Sequence, residues 1–535
     1  MANEWTLMFF FAGDNTLSPS MISQLKAIKD AGYQQHTTVI VRFDPNEKGA
    51  PTRIFEINRE RKREGPKTKI GDGPDPYVRN LIEDEVDLAN APGAAAKKIA
   101  AEKDKPDTMP ANEALSTFLS FCGENYPAKH YMLFLVGHGM IVGNDAFLPD
   151  DRPDTAITLA EFGKLLRDFA AEINKGHAGV LELVGLHSCS MSAIEVAYQL
   201  KGAASFMMAS EGISFVGSWP YRQLLKKVFS TVDQAQASGA TVDVRTLVKR
   251  LHYLCLYNST DFMFAGFSAD LCVCHLRPAN FDGLRGALDE LVRVLRAGLL
   301  VEDVKAFILL AHLKAQSYWQ ESYTDLYDFC RCLSEQCNEK EKLQKRLKAA
   351  CDGVMKQLDP AGDEQTANKL VVYSDYFGPT YQYSHGLSIY FPWSRPVEDG
   401  LENVMDRYKK YAFTVELENP WASFLEEYFR ETKRHTRAEE DRPAREKAAS
   451  GGMTPPQPRA KENGDAKQKP QEIFTGAIDV NVIGAVSALE GKPTAAMAGK
   501  TNPADSGGGI CSCASIKNYP REFSISRIPD KPPEQ

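Results

Sequence analysis

A chain of 535 residues with 43% hydrophobic residues is long enough for one large domain with additions, or for two to three ordinary ones, and can bury a sizeable core. A formal net charge of −8 gives no reason to expect nucleic acid or an anionic membrane as partner. No apolar run reaches the roughly 18 residues of a spanning helix, and the 11 cysteines do not form the framework of a small secreted domain, so free thiols in a reducing compartment are expected.

The apolar run Trp5 to Ala12 begins almost at once, with no Lys or Arg before it. It reads as a first β-strand and not as a signal peptide, and a cytoplasmic location is expected. Leu17, Met21, Leu25 and Ile28 follow at helical spacing, and Thr37 to Asp44 reads as a second strand, the strand–helix–strand opening of a parallel sheet. Residues 45–110 are charged and rich in Gly and Pro, with a hairpin at Thr52 to Asn58; residues 111–122 are helical in pattern. His130 to Gly137 is a near-continuous apolar run, as in a strand buried on both faces, and ends in His138-Gly139. Residues 158–174 are expected to be helical, with Thr158 and Glu161 as a capping box. Val180 to Leu186 is the next strand; it ends in His187-Ser188-Cys189, and a helix through Leu200 is expected directly after it. Ser205 to Ser210 is a further strand, followed by Glu211 and a Gly-rich loop.

Residues 221–256 and 280–358 read as mostly helical, with one or two strands between Asp261 and Leu276. A late strand is expected at 386–392 and helix at 401–433. The expected fold class is α/β: a mostly parallel sheet flanked by helices, with a helical C-terminal extension and a disordered tail. The expected divisions are 1–275 for the sheet-bearing domain, 276–433 for a helical region with the late strand packing on it, 434–471 for a disordered linker rich in charge, Pro and Ala, and 472–535 for a low-complexity tail.

In open parallel sheets functional groups gather at the carboxyl ends of strands. Three such ends carry reactive residues here: Gly13-Asp14-Asn15, Gly137-His138-Gly139 and His187-Ser188-Cys189. A thiol near its free pKa is only partly ionised at neutral pH, and an adjacent imidazole can take its proton and later protonate the leaving amine. Gly139 N–H and Cys189 N–H are the candidate oxyanion donors, the latter aided by the expected helix N-terminus.

At these residues the sequence resembles the clostripain family of cysteine peptidases, which shares its fold and Cys/His pair with caspases, legumains and gingipains. The resemblance runs from about residue 4 to about residue 430. It is carried by Trp5 to Leu17, by Tyr126 to Gly139, by Leu183-Val-Gly-Leu-His-Ser-Cys189-Ser-Met191 through Leu200, by Ala209-Ser210-Glu211, by Gly217-Ser218-Trp219-Pro220-Tyr221, by Gly386 to Pro392 and by Pro420-Trp421. It implies a caspase-like fold and a cysteine endopeptidase, with Cys189 as nucleophile, His138 as acid/base and a polypeptide as substrate. The family usually carries an Asp two residues before the nucleophile, where it favours Arg or Lys at P1; His187 stands there, and Met140-Ile141-Val142 replaces the usual Gly-rich run. P1 preference is therefore expected to move from Arg/Lys towards a neutral or acidic residue, unless His187 faces the core and another acid, Glu211 or Asp14, serves the pocket.

Asp14, Asn15, His187, Ser210, Glu211 and Trp219 are the candidate substrate-binding residues, with a turn or cap role as the other reading of Asp14 and Asn15. Glu195 reads as a helix carboxylate and His385 as non-catalytic. The loop Asn144 to Asp154, with Asp145, Asp150, Asp151 and Asp154, offers calcium ligands or a self-cleavage site at Arg152, but a solvated loop is favoured. No cofactor is expected, and Cys330, Cys332 and Cys337 lack a fourth zinc ligand. By analogy with caspases, a bacterial enzyme of narrow specificity that cuts a co-encoded effector fits, against a silent binding or scaffold protein with the same fold.

Overall fold

The computed structural model describes residues 3–46, 51–57, 84–102, 108–139, 145–257, 266–319, 321–360, 369–396 and 404–432. The expected linker and tail at 434–535, and Met140 to Val142, lie outside these residues.

Eight strands form the main sheet: β1 (Asn3–Phe11), β2 (Thr37–Phe43), β3 (Arg53–Ile57), β4 (Ala128–Val136), β7 (Val180–His187), β8 (Phe206–Ala209), β9 (Ala269–His275) and β12 (Val371–Phe377). Their order is β12-β9-β8-β7-β4-β1-β2-β3. The five central strands, β8, β7, β4, β1 and β2, are mutually parallel; β3 and β9 run antiparallel to their neighbours. Each central strand is apolar on both faces and splits its side chains between two cores. Met8 and Phe10, Leu133 and Leu135, and Val184 and Leu186 enter one core, which continues through helices Ala111–Asn125, Leu159–His177 and Asp282–Gly298 to Trp421 and Phe424. Phe9 and Phe11, Phe134 and Leu183 enter the other, under helices Ser18–Lys29, Tyr221–Ser238 and Val244–Tyr257.

The capping box at Thr158 forms: Glu161 N–H donates to Thr158 Oγ1 at 3.3 Å and Thr158 N–H to Glu161 Oε2 at 3.0 Å. Several expectations are corrected. The helix after the nucleophile candidate begins only at Ile194, with an irregular turn between, so Cys189 has no helix N-terminus behind it. The stretch 280–358 is interrupted by β10 (Ser317–Tyr318) and β11 (Tyr323–Asp325), which join β13 (Ser388–Tyr390) in a separate three-stranded sheet. The acidic loop is in part a hairpin, β5 (Phe147–Asp151) with β6 (Asp154–Ile157). Strand β12 was not expected, because it is an edge strand whose second half is only partly buried and mixes polar with apolar residues.

Candidate active site

Strands β4 and β7 are parallel neighbours with Val136 opposite His187. Two residues beyond each, at the same end of the sheet, stand His138 and Cys189. Gly137 allows the His138 turn to pass closely over β1 and the acidic hairpin: a Cβ there would meet Leu148 Cδ2 at 2.7 Å and Ala12 Cβ at 3.2 Å. Leu148 N–H then donates to His138 O at 3.2 Å and fixes the turn. Burial pulls the His138 imidazole from its ordinary 6.5 down to about 4, so it stands neutral and able to accept a proton. Gly139 is buried beside it.

Cys189 is 1% exposed. Its thiol is bracketed by one residue of the loop after β8: Ser214 N–H donates to Sγ at 3.3 Å, and the thiol donates to Ser214 O at 3.6 Å. Ser190, in the left-handed region at φ 53°, turns the chain sharply after the thiol, and its N–H donates to Gly212 O at 2.9 Å. Next to Ser214 opens a small cavity of about 30 Å³, lined among others by Ser210, Phe215, Ser218, Trp219, Phe267 and Asp270.

His187 lies behind this cavity and is fully enclosed, at 0% exposure. Its ring stacks on Trp219 at 4.6 Å, nearly coplanar at 4°. A carbonyl can only accept, so His187 Nε2–H donates to Phe215 O at 2.7 Å, and Nδ1 accepts from the Tyr221 hydroxyl at 2.7 Å. Burial drops its pKa to about 3, which keeps the ring neutral. His187 thus supports the Trp219 wall and offers no atom to a ligand, as a residue facing the core would. Gly185 makes room for this arrangement, since a Cβ would meet Phe134 Cδ1 at 2.7 Å and Trp219 Cζ3 at 3.0 Å.

The other candidates divide. Ser210 and Trp219 line the cavity. Asp14 is buried and bidentate to Arg152, with Arg152 Nε donating to its two oxygens at 3.1 and 3.0 Å. Asn15 Oδ1 accepts from Leu17 N–H at 3.0 Å while its amide donates to Ala12 O and Pro149 O at 2.9 and 3.2 Å, so it builds the turn. Glu211 is not a cleft wall. It is wholly buried and points away from the cavity towards Gly386, whose N–H it accepts at 2.8 Å. Glu195 is also buried, accepting from Tyr390 N–H at 3.0 Å and Tyr408 OH at 2.6 Å. His385 stacks on Tyr327 at 4.1 Å.

Asp145, one of the acids of the loop read as solvated with calcium as the lesser alternative, is buried and accepts from Leu159 N–H at 2.8 Å. Among the described residues no three His, Cys, Asp or Glu side chains converge as a metal site, Cys330, Cys332 and Cys337 included, and no helix is long and apolar enough to cross a membrane. Sequence reasoning missed Ser214, Asp270 and Tyr221. Asp270 stands at the start of β9; because β9 is antiparallel to β8, that start lies at the same end of the sheet as Cys189.

Residues 9–428 match the clostripain family. Among solved structures the chain is similar to an inactive zymogen C11 protease from Parabacteroides distasonis, at 16% identity and TM-score 0.42, covering 78% of this chain and 99% of that one. It is also similar to a secreted C11 cysteine protease from Bacteroides thetaiotaomicron in complex with an irreversible peptide inhibitor, at 13% identity and TM-score 0.46, covering 80% and 99%. A search of curated proteins finds no match. With the family matched over most of its length, the chain belongs to the clostripain family and is a cysteine endopeptidase.

Proposed function

We propose that peptide bonds are cut by the Cys189 thiolate, with His138 as acid/base and Gly139 N–H as an oxyanion donor. The observation that supports this is the pairing of Val136 with His187 on parallel neighbouring strands, so that His138 and Cys189 each follow two residues later in the chain. A neutral His138 accepts the thiol proton as sulfur attacks the carbonyl carbon; it returns that proton to the leaving amine, and water then releases the acyl group.

We infer further that P1 is not an Arg or Lys. The neutral, sealed His187 gives no counter-charge, and both oxygens of Asp270, the one acid that lines the cavity among the described residues, are taken by backbone N–H groups at 2.6 and 2.9 Å. A cytoplasmic enzyme of narrow specificity, acting on a co-encoded partner, is part of the same proposal by analogy with caspases. Mass-spectrometric mapping of cut sites tests it: cuts present with wild type and absent with Cys189→Ala support it, and cuts confined to Arg or Lys at P1 overturn the specificity.

A second reading, a silent binding protein, draws on the thiol's 1% exposure. Iodoacetamide separates the two. A Cys189 thiol more reactive than the other cysteines, and quieted by His138→Ala, supports catalysis; an inert one supports the binding protein.

A further inference from the structure

The loop that brackets the Cys189 thiol is tied down by side chains that the peptidase reading leaves unused. Ser192 N–H donates to Ser210 O at 2.9 Å and Ile213 N–H to the Tyr381 hydroxyl at 3.0 Å. Glu211 N–H and Gly212 N–H donate to the two oxygens of Asp270 at 2.6 and 2.9 Å. Glu211 itself reaches the opposite way: one carboxyl oxygen accepts Gly386 N–H at 2.8 Å, and the other, Oε1, is buried without a hydrogen-bond partner. Asp325 lies beyond, accepting Asp328 N–H at 2.7 Å and His385 N–H at 2.5 Å.

Three carboxyls therefore share one buried site, and among the described residues no Lys or Arg is ion-paired to any of them; Arg331 pairs with Asp328 instead. The groups facing Glu211 are Asp270 and Cys272 on β9, Asp325 at the end of β11 and Tyr318 on β10, with the His385 imidazole beyond Asp325 at 3.6 Å. One imidazole cannot balance three carboxylates in a low dielectric. Burial first, and the Asp325 and Asp270 charges second, hold Glu211 well above the ordinary carboxyl range.

We propose that Glu211, with Asp270 and Asp325, is a proton-dependent latch: protonated Glu211 keeps the 210–214 loop seated over Cys189, and loss of that proton unseats it and uncovers the thiol. Glu211 is a positioning residue that acts through the loop. The consequence for catalysis rests on Cys189 being the nucleophile, but the loop movement does not. An acid held above its ordinary value binds its proton more tightly in the seated state than in the open one. The seat therefore weakens as pH rises from the ordinary carboxyl value to the raised one.

Hydrogen exchange of the peptide spanning 211–218 in the full chain tests this between pH 6 and 9, corrected for base-catalysed intrinsic exchange. Wild type is expected to open more with pH, approaching about tenfold per unit for one linked proton. Glu211→Gln retains an oxygen for Gly386 N–H without the charge, and is expected to stay protected and flat; Glu211→Ala is expected to be unprotected throughout. Iodoacetamide labelling of Cys189 should follow the same order. A flat wild-type profile overturns the latch whatever the variants do, and so does a Glu211→Gln profile that parallels wild type. Exchange needs no turnover, so an inactive protein with an intact pH response would sink the peptidase reading and leave the latch standing.

Discussion

Replacing His187 by Phe tests whether this residue is a sealed, neutral support. The variant keeps an aromatic ring on Trp219 but removes both ring nitrogens. Phe215 O still accepts from Ser218 Oγ at 2.7 Å, whereas the Tyr221 hydroxyl loses the acceptor it holds at 2.7 Å. A buried polar group left unpaired costs about 1–3 kcal/mol, and the larger ring adds a further cost that does not depend on pH. The pH-dependent part comes from the imidazole. Its pKa falls from 6.5 to about 3 on folding, so between these values the unfolded chain binds a proton that the folded chain refuses. Stability from this group is complete above pH 6.5 and is lost as pH falls; by pH 5 the loss is about 2 kcal/mol. Urea unfolding of both proteins at pH 8 and pH 5 reads this directly. The variant is expected to be the weaker protein at pH 8, and the gap should shrink by about 2 kcal/mol at pH 5. A gap equal at the two pH values would refute the reasoning.

Other predictions follow from the same geometry. His138→Ala should lower kcat/KM by about 10²–10⁴, the usual worth of a general base. Because His138 must be unprotonated to act and burial holds it at about 4, activity on a peptide substrate should fall with pH well below 6.5; an acid limb at 6.5 or above would contradict this. Gly185→Ala drives a methyl into Phe134 and Trp219, with contacts at 2.7 and 3.0 Å, and should cost about 1–3 kcal/mol in thermal or urea unfolding. A raised KM should accompany that loss, since Trp219 walls the cavity. Arg152→Ala leaves the buried Asp14 carboxylate without its guanidinium. Arg152 is itself more than a third exposed, so the loss should be modest, about 1–2 kcal/mol in urea unfolding.

The strands that bear His138 and Cys189 were legible because a strand buried on both faces leaves a continuous apolar run, and the residue just past it is then conspicuous. The bond partners of those ends were not. His187 reads the same in a sequence whether it faces a substrate or a core; what settles it is Tyr221 and Phe215, 34 and 28 residues away. Asp270 was obscured for a related reason: only the reversed direction of β9 carries it back to the loop over Cys189. Glu211 was misread as a cleft wall because only the fold turns its carboxyl towards Gly386 N–H, 175 residues away, and the choice between the two readings of Asp14 depends on Arg152, equally out of sight in the local sequence.

The turn after Cys189 is completed from far down the chain. Ser192 Oγ donates to Gly386 O at 2.6 Å, Ser388 N–H donates to Ser192 O at 3.0 Å, and Ala193 bridges Ser388. On a ribosome the sulfur is made nearly two hundred residues before the segment that braces its turn. A nascent chain therefore carries the reactive atom in an unbraced setting until that distant segment has emerged and docked. If Cys189 is the nucleophile, the order of translation leaves its turn incomplete until synthesis is well advanced.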